Sequence, residues 1–455
     1  MSLLDNIARF LPSVETPKHF VSFKTRMLWT GIILFLFLLM GYISLYGISE
    51  RTYERFTFLE MILGSSMGSI ISLGIGPIVT ASIILQLLVG AKLLPLDLTK
   101  KEDRERFQSL QKILTIVFCF LEGSAYVIFG VIQPTQPTLE NILLVTLQLA
   151  FGGFVILLMD EVVSKWGIGS GVSLFIAAGV SRSIFIRIFN PFSFGGEYPA
   201  GLIPQAIIAI SRGEMEVAID ALLPIFATIL VFLLVVYAQG IEVEIPLAFG
   251  ALSGFGRRWP LKFIYTSNIP IILTSALLAN LMLLGSMMAA KGITFLGEFD
   301  ENNNPISGIL YYLSPPRNLA LSLIHGTFTI DMLFKAFVYT LFICIFAIIF
   351  SVLWVQTSGM DARSVAEQIQ SIGMQIPGFR RDPRIIEDVL ARYINVLAVV
   401  GGAFVGLLAS FADLTGAVGS GTGILLTVMI IYNFYEQISM RYIEEMHPML
   451  RSLFE

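Results

Sequence analysis

Apolar runs long enough to cross a bilayer recur along almost the whole chain, and no other feature narrows its possible folds so far. They lie near 27–47, 75–91, 110–132, 139–160, 171–189, 220–239, 264–290, 329–354, 386–411 and 420–438, which makes about ten crossings at roughly 20 residues each. A bilayer core offers no water to unpaired backbone groups, so such segments cross as helices. The expected fold is an all-α polytopic membrane protein. Of the 455 residues, 55% are hydrophobic and 14% charged, far from a soluble balance. Met1 to Thr25 is amphipathic and lacks the short apolar core and small-residue cleavage site of a secretory signal, so no cleavable leader is expected.

Basic residues set the orientation. Arg9, Lys18, Lys24 and Arg26 precede the first run, and Lys100, Lys101, Arg104, Arg106 and Lys112 separate the second from the third. Arg257, Arg258 and Lys262 follow the sixth, Arg380, Arg381 and Arg384 follow the eighth, and Arg441 and Arg451 follow the last. With about ten crossings all of these fall on one side, which places residues 1–26, the loops 240–263 and 355–385, and the tail 439–455 in the cytoplasm.

The second run is interrupted. Arg55-Phe-Thr-Phe-Leu-Glu-Met-Ile-Leu-Gly64 is too short to span, and Gly64, Ser65, Ser66, Gly68 and Ser69 follow it as small residues that let the backbone bend. The run restarts at Gly74-Ile-Gly-Pro77, where proline suits a helix start. A half-length helix, a hinge and a proline-started helix belong where irregular backbone lines a cavity.

An internal repeat matches this restart to a second place. Ile75-Gly-Pro-Ile-Val79 reads against Asn268-Ile-Pro-Ile-Ile272, and Gly169-Ser-Gly-Val-Ser-Leu-Phe-Ile176 against Gly419-Ser-Gly-Thr-Gly-Ile-Leu-Leu426. The second run pairs with the seventh and the fifth with the tenth. An odd period makes the second half enter the membrane from the opposite side, so two inverted five-helix halves meet at an axis. Just beyond each helix start stands a bulky aliphatic: Ile75 and Val79, Val172 and Ile176, Ile272, and Leu426. Any one of them reads as lipid-facing or core packing. At equivalent places in four related helices they make a ring that would exclude water and ions by dewetting while binding no particular solute. Thr80, Glu122 and Asn268 are polar groups within spans that could meet between helices, either as ordinary interhelical hydrogen bonds or as a functional contact. Asp160, Glu161 and Lys165 close the fourth span as an interfacial, structural cluster.

Enzyme chemistry finds little material. His19, His325 and His447 lie far apart outside the spans, so neither a metal site nor a catalytic residue is assigned. No phosphate-binding GxxxxGK[ST] loop occurs, no cofactor is expected, and Cys119 and Cys344 sit inside apolar runs, which argues against a disulfide framework. A secondary transporter also uses inverted repeats and broken helices, but it needs coordinating groups at the midplane, where this chain places aliphatics.

Three stretches, Leu73-Gly-Ile-Gly-Pro-Ile-Val-Thr80 with Leu85-Gln-Leu-Leu-Val-Gly90, Asp160-Glu-Val-Val-Ser-Lys-Trp-Gly-Ile-Gly-Ser-Gly171 and Tyr265-Thr-Ser-Asn-Ile-Pro270, closely resemble the SecY family of Sec translocon channel subunits, in its archaeal and eukaryotic branch. The resemblance runs from about Phe20 to the C-terminus. It implies halves at 27–200 and 201–438 around a central pore whose ring is the six aliphatics above, with Ile269 as a rival to Ile272. It implies a re-entrant plug helix over 55–68, including Arg55, Phe56, Phe58, Leu59, Glu60, Met61, Ile62, Leu63 and Gly64. Thr80, Glu122 and Asn268 would form the polar cluster of a lateral gate, and Arg257, Arg258, Arg380 and Arg381 would dock a ribosome, with ribosomal RNA touched only there. Implied partners are a SecE or gamma subunit, a small beta subunit, nascent polypeptides with their signal sequences, and membrane lipid.

Overall fold

The computed structural model describes residues 12–19, 21–49, 68–91, 93–94, 96, 101–193, 197–249, 256–300, 304–316, 319–371, 374–375 and 383–446. The plug segment Arg55 to Gly64 and the residues Arg380 and Arg381 lie outside them. Each apolar run meets a helix: α1 (Phe23–Met40), α2 (Gly76–Gly90), α3 (Lys101–Ile128), α4 (Leu139–Trp166) and α5 (Gly171–Phe189) in the first half. A short α6 (Leu202–Arg212) leads to α7 (Met215–Gln239), α8 (Ile269–Ala290), the short α9 (Ile309–Leu313) and α10 (Leu319–Ile324), and α11 (Ile330–Thr357). The chain closes with α12 (Ala362–Ser371), α13 (Pro383–Leu414) and α14 (Gly421–Met446). Among the described residues, eight helices are long and apolar enough to cross a membrane. The protein is a multi-pass membrane protein.

Several helix ends differ from expectation. The first helix starts earlier than residue 27 and stops at Met40, because Gly41 to Leu45 turn away to meet the leg that leads into α2. The fourth runs on to Trp166, so Asp160, Glu161 and Lys165 lie within its last turns.

The restart of the second run has the anticipated form. Only 15 residues are helical in α2, about 22 Å at 1.5 Å per residue, which is less than a hydrocarbon core of about 30 Å. The preceding leg from Gly68 is a series of turns whose backbone is paired elsewhere. Leu45 N–H donates to the Gly68 carbonyl at 2.8 Å, and Ile70 N–H to the Ile43 carbonyl at 2.9 Å. Those bonds satisfy groups that lipid would leave orphaned.

The helices meet on two fronts between the halves. On one, α2 packs against α8 and α11; on the other, α5 packs against α14. Between them lies the main apolar cluster, which takes residues from both halves.

A small sheet adds to the helices. Strands β1 (Glu242–Phe249) and β2 (Gly256–Lys262) pair antiparallel in the loop after α7, and β3 (Met374–Gln375) joins the other edge of β1. Glu242, Val243, Glu244 and Ile245 alternate polar with apolar, the period of a half-buried strand. Ile245 and Leu261 bury against Val365, Ile369 and Ile386. Beside this layer, Tyr265 donates its hydroxyl to the Met360 carbonyl at 2.7 Å. Burial pushes that phenol up to about 12, so it remains a donor.

Candidate functional site

The helix starts selected by the repeat share their backbone. Ile75 precedes α2 at φ −86°, ψ −1°, and Asn268 precedes α8 at φ −86°, ψ −11°, each with a proline in the first turn. One residue earlier, Gly74 has φ +53° and its counterpart Ser267 has φ +55°. The other pair agrees as well, with Gly169 at φ +73° before α5 and Gly419 at φ +84° before α14. Left-handed backbone is costly for a side chain, so its recurrence at matched serine and glycine is a property of the architecture.

All six aliphatics belong to, or pack against, the main apolar cluster. Ile75, Val79, Ile176, Ile272 and Leu426 are buried in one apolar cluster, and Val172 packs against it half-buried, as does Ile269. The residues at the twin positions of Ile75 and Val172 in the second half are polar, Asn268 and Thr422. Both are 5% exposed, and both are held by hydrogen bonds. Ser267 Oγ donates to Asn268 Oδ1 at 3.1 Å, while Asn433 Nδ2 donates to Ser267 Oγ at 2.7 Å. Thr422 donates its hydroxyl to the Asp413 carboxylate. Of the six candidate residues the first half therefore supplies four and the second half two.

Two carboxylates anchor the helices that carry half of these residues. Asp160 Oδ1 accepts the Val172 N–H at 2.9 Å and also the Gly171 N–H. Asp413 Oδ1 accepts the Thr422 N–H at 2.9 Å and also the Gly421 N–H. A carboxylate on the first free N–H groups of a helix satisfies donors that would otherwise be orphaned. Glycine is needed at both corners: a Cβ on Gly171 would stand 2.6 Å from Asp160 Cα, and one on Gly421 1.9 Å from the Ala412 carbonyl carbon. Asp413 and its partner Tyr339 carried no local sequence signal, since 74 residues separate them.

The polar contact between the halves draws on a further residue. Thr80 and Glu122 are brought together by a side-chain hydrogen bond, whereas Asn268 stands at the start of α8, its Oδ1 accepting from Ser267 and its buried Nδ2 without a partner among the described residues. The amide that reaches Thr80 is Asn280, whose Nδ2 donates to Thr80 Oγ1 at 3.1 Å. Asn280 stands twelve residues beyond Asn268, about 18 Å along the helix at 1.5 Å per residue. An asparagine inside an otherwise apolar helix was the signal that could have found it.

Glu161 belongs to a separate strap. It accepts from Lys112 and from the Val14 N–H at 2.9 Å, while Lys165 Nζ donates to the Val14 carbonyl at 2.6 Å and Trp166 Nε1 to the Glu15 carbonyl at 2.8 Å. These bonds fasten the segment before α1 across the ends of α3 and α4. Arg257 and Arg258 lie on β2, opposite Leu247 and Pro246.

A multi-helix bundle of two inverted halves that meet across a buried apolar cluster, beside a seam with a polar contact, is the architecture of a membrane channel. The comparisons agree. The SecY family pattern matches residues 69–435. The protein translocase subunit SecY of Pyrococcus furiosus is 45% identical, with 98% of each chain covered. A solved structure described as a protein-conducting channel superposes with a TM-score of 0.85 at 42% identity, covering 98% of this chain and 99% of the other. Sec61 in a canine ribosome–channel complex from the endoplasmic reticulum superposes at 0.82 with 42% identity, covering 98% and 99%. The chain belongs to the SecY family, whose curated relatives are named as subunits of the protein translocase.

Proposed function

We propose that this chain is the channel subunit of a protein translocase, passing secretory polypeptides across the membrane and releasing hydrophobic segments sideways into lipid. The convergence of Ile75, Val79, Val172, Ile176, Ile272 and Leu426 into one apolar cluster between inverted halves carries this reading. A ring of such side chains stops water and ions when empty, and fits any extended chain when occupied. The resting channel has a second seal, the plug over 55–68, which a nascent chain displaces.

Sideways release uses the front where α2 meets α8 and α11. Thr80, Glu122 and Asn280 set how apolar a segment must be before it parts that seam, because its transfer into lipid competes with their hydrogen bonds. Arg257, Arg258, Arg380 and Arg381 form the docking surface for a ribosome, through contacts with phosphate that weaken as salt rises. The matched Sec61 structure, taken from a ribosome complex, supports that partner. Both termini are cytoplasmic. An apolar groove of about 500 Å³ between α5, α7 and α14, lined by Ile184, Phe232, Val236, Ile424 and Val428, accepts the single membrane helix of a SecE or gamma subunit. A small beta subunit completes the complex.

The test is site-specific crosslinking of a stalled nascent chain. A photoreactive residue at position 75 captures the chain, whereas one at the exposed Phe151 of α4 does not before the seam opens. Equal capture at both positions would remove the pore assignment, and saturable uptake of a small solute into vesicles would replace the channel by a transporter.

A further inference from the structure

The two anchoring carboxylates differ in one respect. Asp160 holds only the backbone of α5, its own half's helix. Asp413 holds the start of α14 and, through Oδ2, also accepts the hydroxyl of Tyr339 on α11 at 2.7 Å. Tyr339 is only 2% exposed, and a phenol so buried requires a hydrogen-bond partner. Its helix also packs against α2 and α8, the seam between the halves. The same carboxylate oxygen takes the Thr422 hydroxyl, the polar group at the twin position of Val172. One side chain thus joins the helix of Leu426 to the helix that walls the seam, and among the described residues no equivalent bond reaches Asp160 from another span.

We propose that Asp413 and Tyr339 are positioning residues that tie the pore ring to the lateral seam. Moving α11 away from α2 pulls on Asp413 and loosens the start of α14 together with Leu426. Ring and seam then open as coupled events, and the coupling runs through the second half alone. Asp160 holds Val172 and Ile176 in place without responding to the seam. This inference rests on the channel reading given above and assigns that reading's gating to a named contact.

The experiment compares Tyr339→Phe, Asp413→Asn, their double variant and Asp160→Asn in the full complex, reconstituted with a test segment that the parent divides evenly between insertion and translocation. Tyr339→Phe raises the inserted-to-translocated ratio about threefold, the effect of one average interhelical hydrogen bond. Asp160→Asn leaves the ratio unchanged. The double variant shifts no further than Asp413→Asn, because the two groups act as one unit. A second readout needs no transport: amide hydrogen exchange at Gly421 to Gly423 quickens in Tyr339→Phe and stays at the parental rate in Asp160→Asn. Unchanged exchange in Tyr339→Phe overturns the tie, and so does a ratio that stays at the parental value or shifts equally in Asp160→Asn. If Asp413→Asn does not assemble, Tyr339→Phe against Asp160→Asn decides alone. A parent complex that transports nothing sinks the channel reading, while the exchange result still decides the tie.

Discussion

The two halves of this protein repeat their backbone and diverge in their side chains. At the start of α2 the left-handed residue is Gly74, followed by Ile75. At the start of α8 the same geometry is carried by Ser267, followed by Asn268, and both are tied to a hydrogen-bond chain from Asn433. The corners at α5 and α14 diverge in the same sense: Val172 has Thr422 as its twin, and Asp413 gains the Tyr339 hydroxyl that Asp160 has no counterpart for. The inverted architecture therefore dictates where helices start and bend. Each half then meets the remaining demands in its own way, the first with aliphatics at these positions, the second with polar residues bonded to Ser267 and Asp413.

Steric substitutions at the corners give the largest effects. A Cβ at Gly421 would meet the Ala412 carbonyl carbon and oxygen at 1.9 and 2.2 Å, while one at Gly171 would meet Asp160 Cα at 2.6 Å. Gly421→Ala should then cost about 3 kcal/mol and Gly171→Ala about 1–2 kcal/mol, as overpacking does in a tight core. Thermal unfolding in detergent measures both; equal losses would mean that the second corner is no tighter than the first.

Next come the left-handed twins. Gly74→Ala adds a side chain to left-handed backbone and costs about 1–2 kcal/mol. Ser267→Gly is close to neutral, since relief of about 1 kcal/mol offsets the lost hydrogen bonds. Ser267→Ala has no such relief and falls below Ser267→Gly by about 1 kcal/mol. Should Ser267→Ala prove the more stable of the two, backbone strain is not what distinguishes these positions. The smallest effect concerns the seam. Asn280→Leu shifts the hydrophobicity threshold for membrane insertion by about 0.6 kcal/mol, and Asn268→Leu leaves it in place while loosening the start of α8. A reversed pattern in a graded insertion assay would return the gate role to Asn268.

How much of this could be read in the chain depends on the range of the signal. The crossings and the matched helix starts are legible because their causes are local: continuous apolar length, Pro77 and Pro270 at helix starts, and the Gly-Ser-Gly openings at 169 and 419. The seam was half legible. Thr80 and Glu122 stand out as polar groups within spans, but two asparagines lie on the same run, and only the approach of α2 shows that Asn280 reaches Thr80. The Asp413–Tyr339 bond joins residues 74 apart with no motif around either, so partner choice is made by packing alone. The β1–β2 pair was treated as a loop although Glu242 to Ile245 alternate, because four alternating residues are a weak signal beside membrane runs of about 20.

The most direct test is the resting ion conductance of the purified complex in a planar bilayer. With Ile75, Val79, Ile176 and Leu426 replaced together by glycine, the empty channel should pass ions continuously, while the parent stays closed and a control with four lipid-facing replacements, at Phe226, Leu230, Leu233 and Tyr237, stays closed too. A four-residue variant as tight as the parent would show that these side chains do not form the seal.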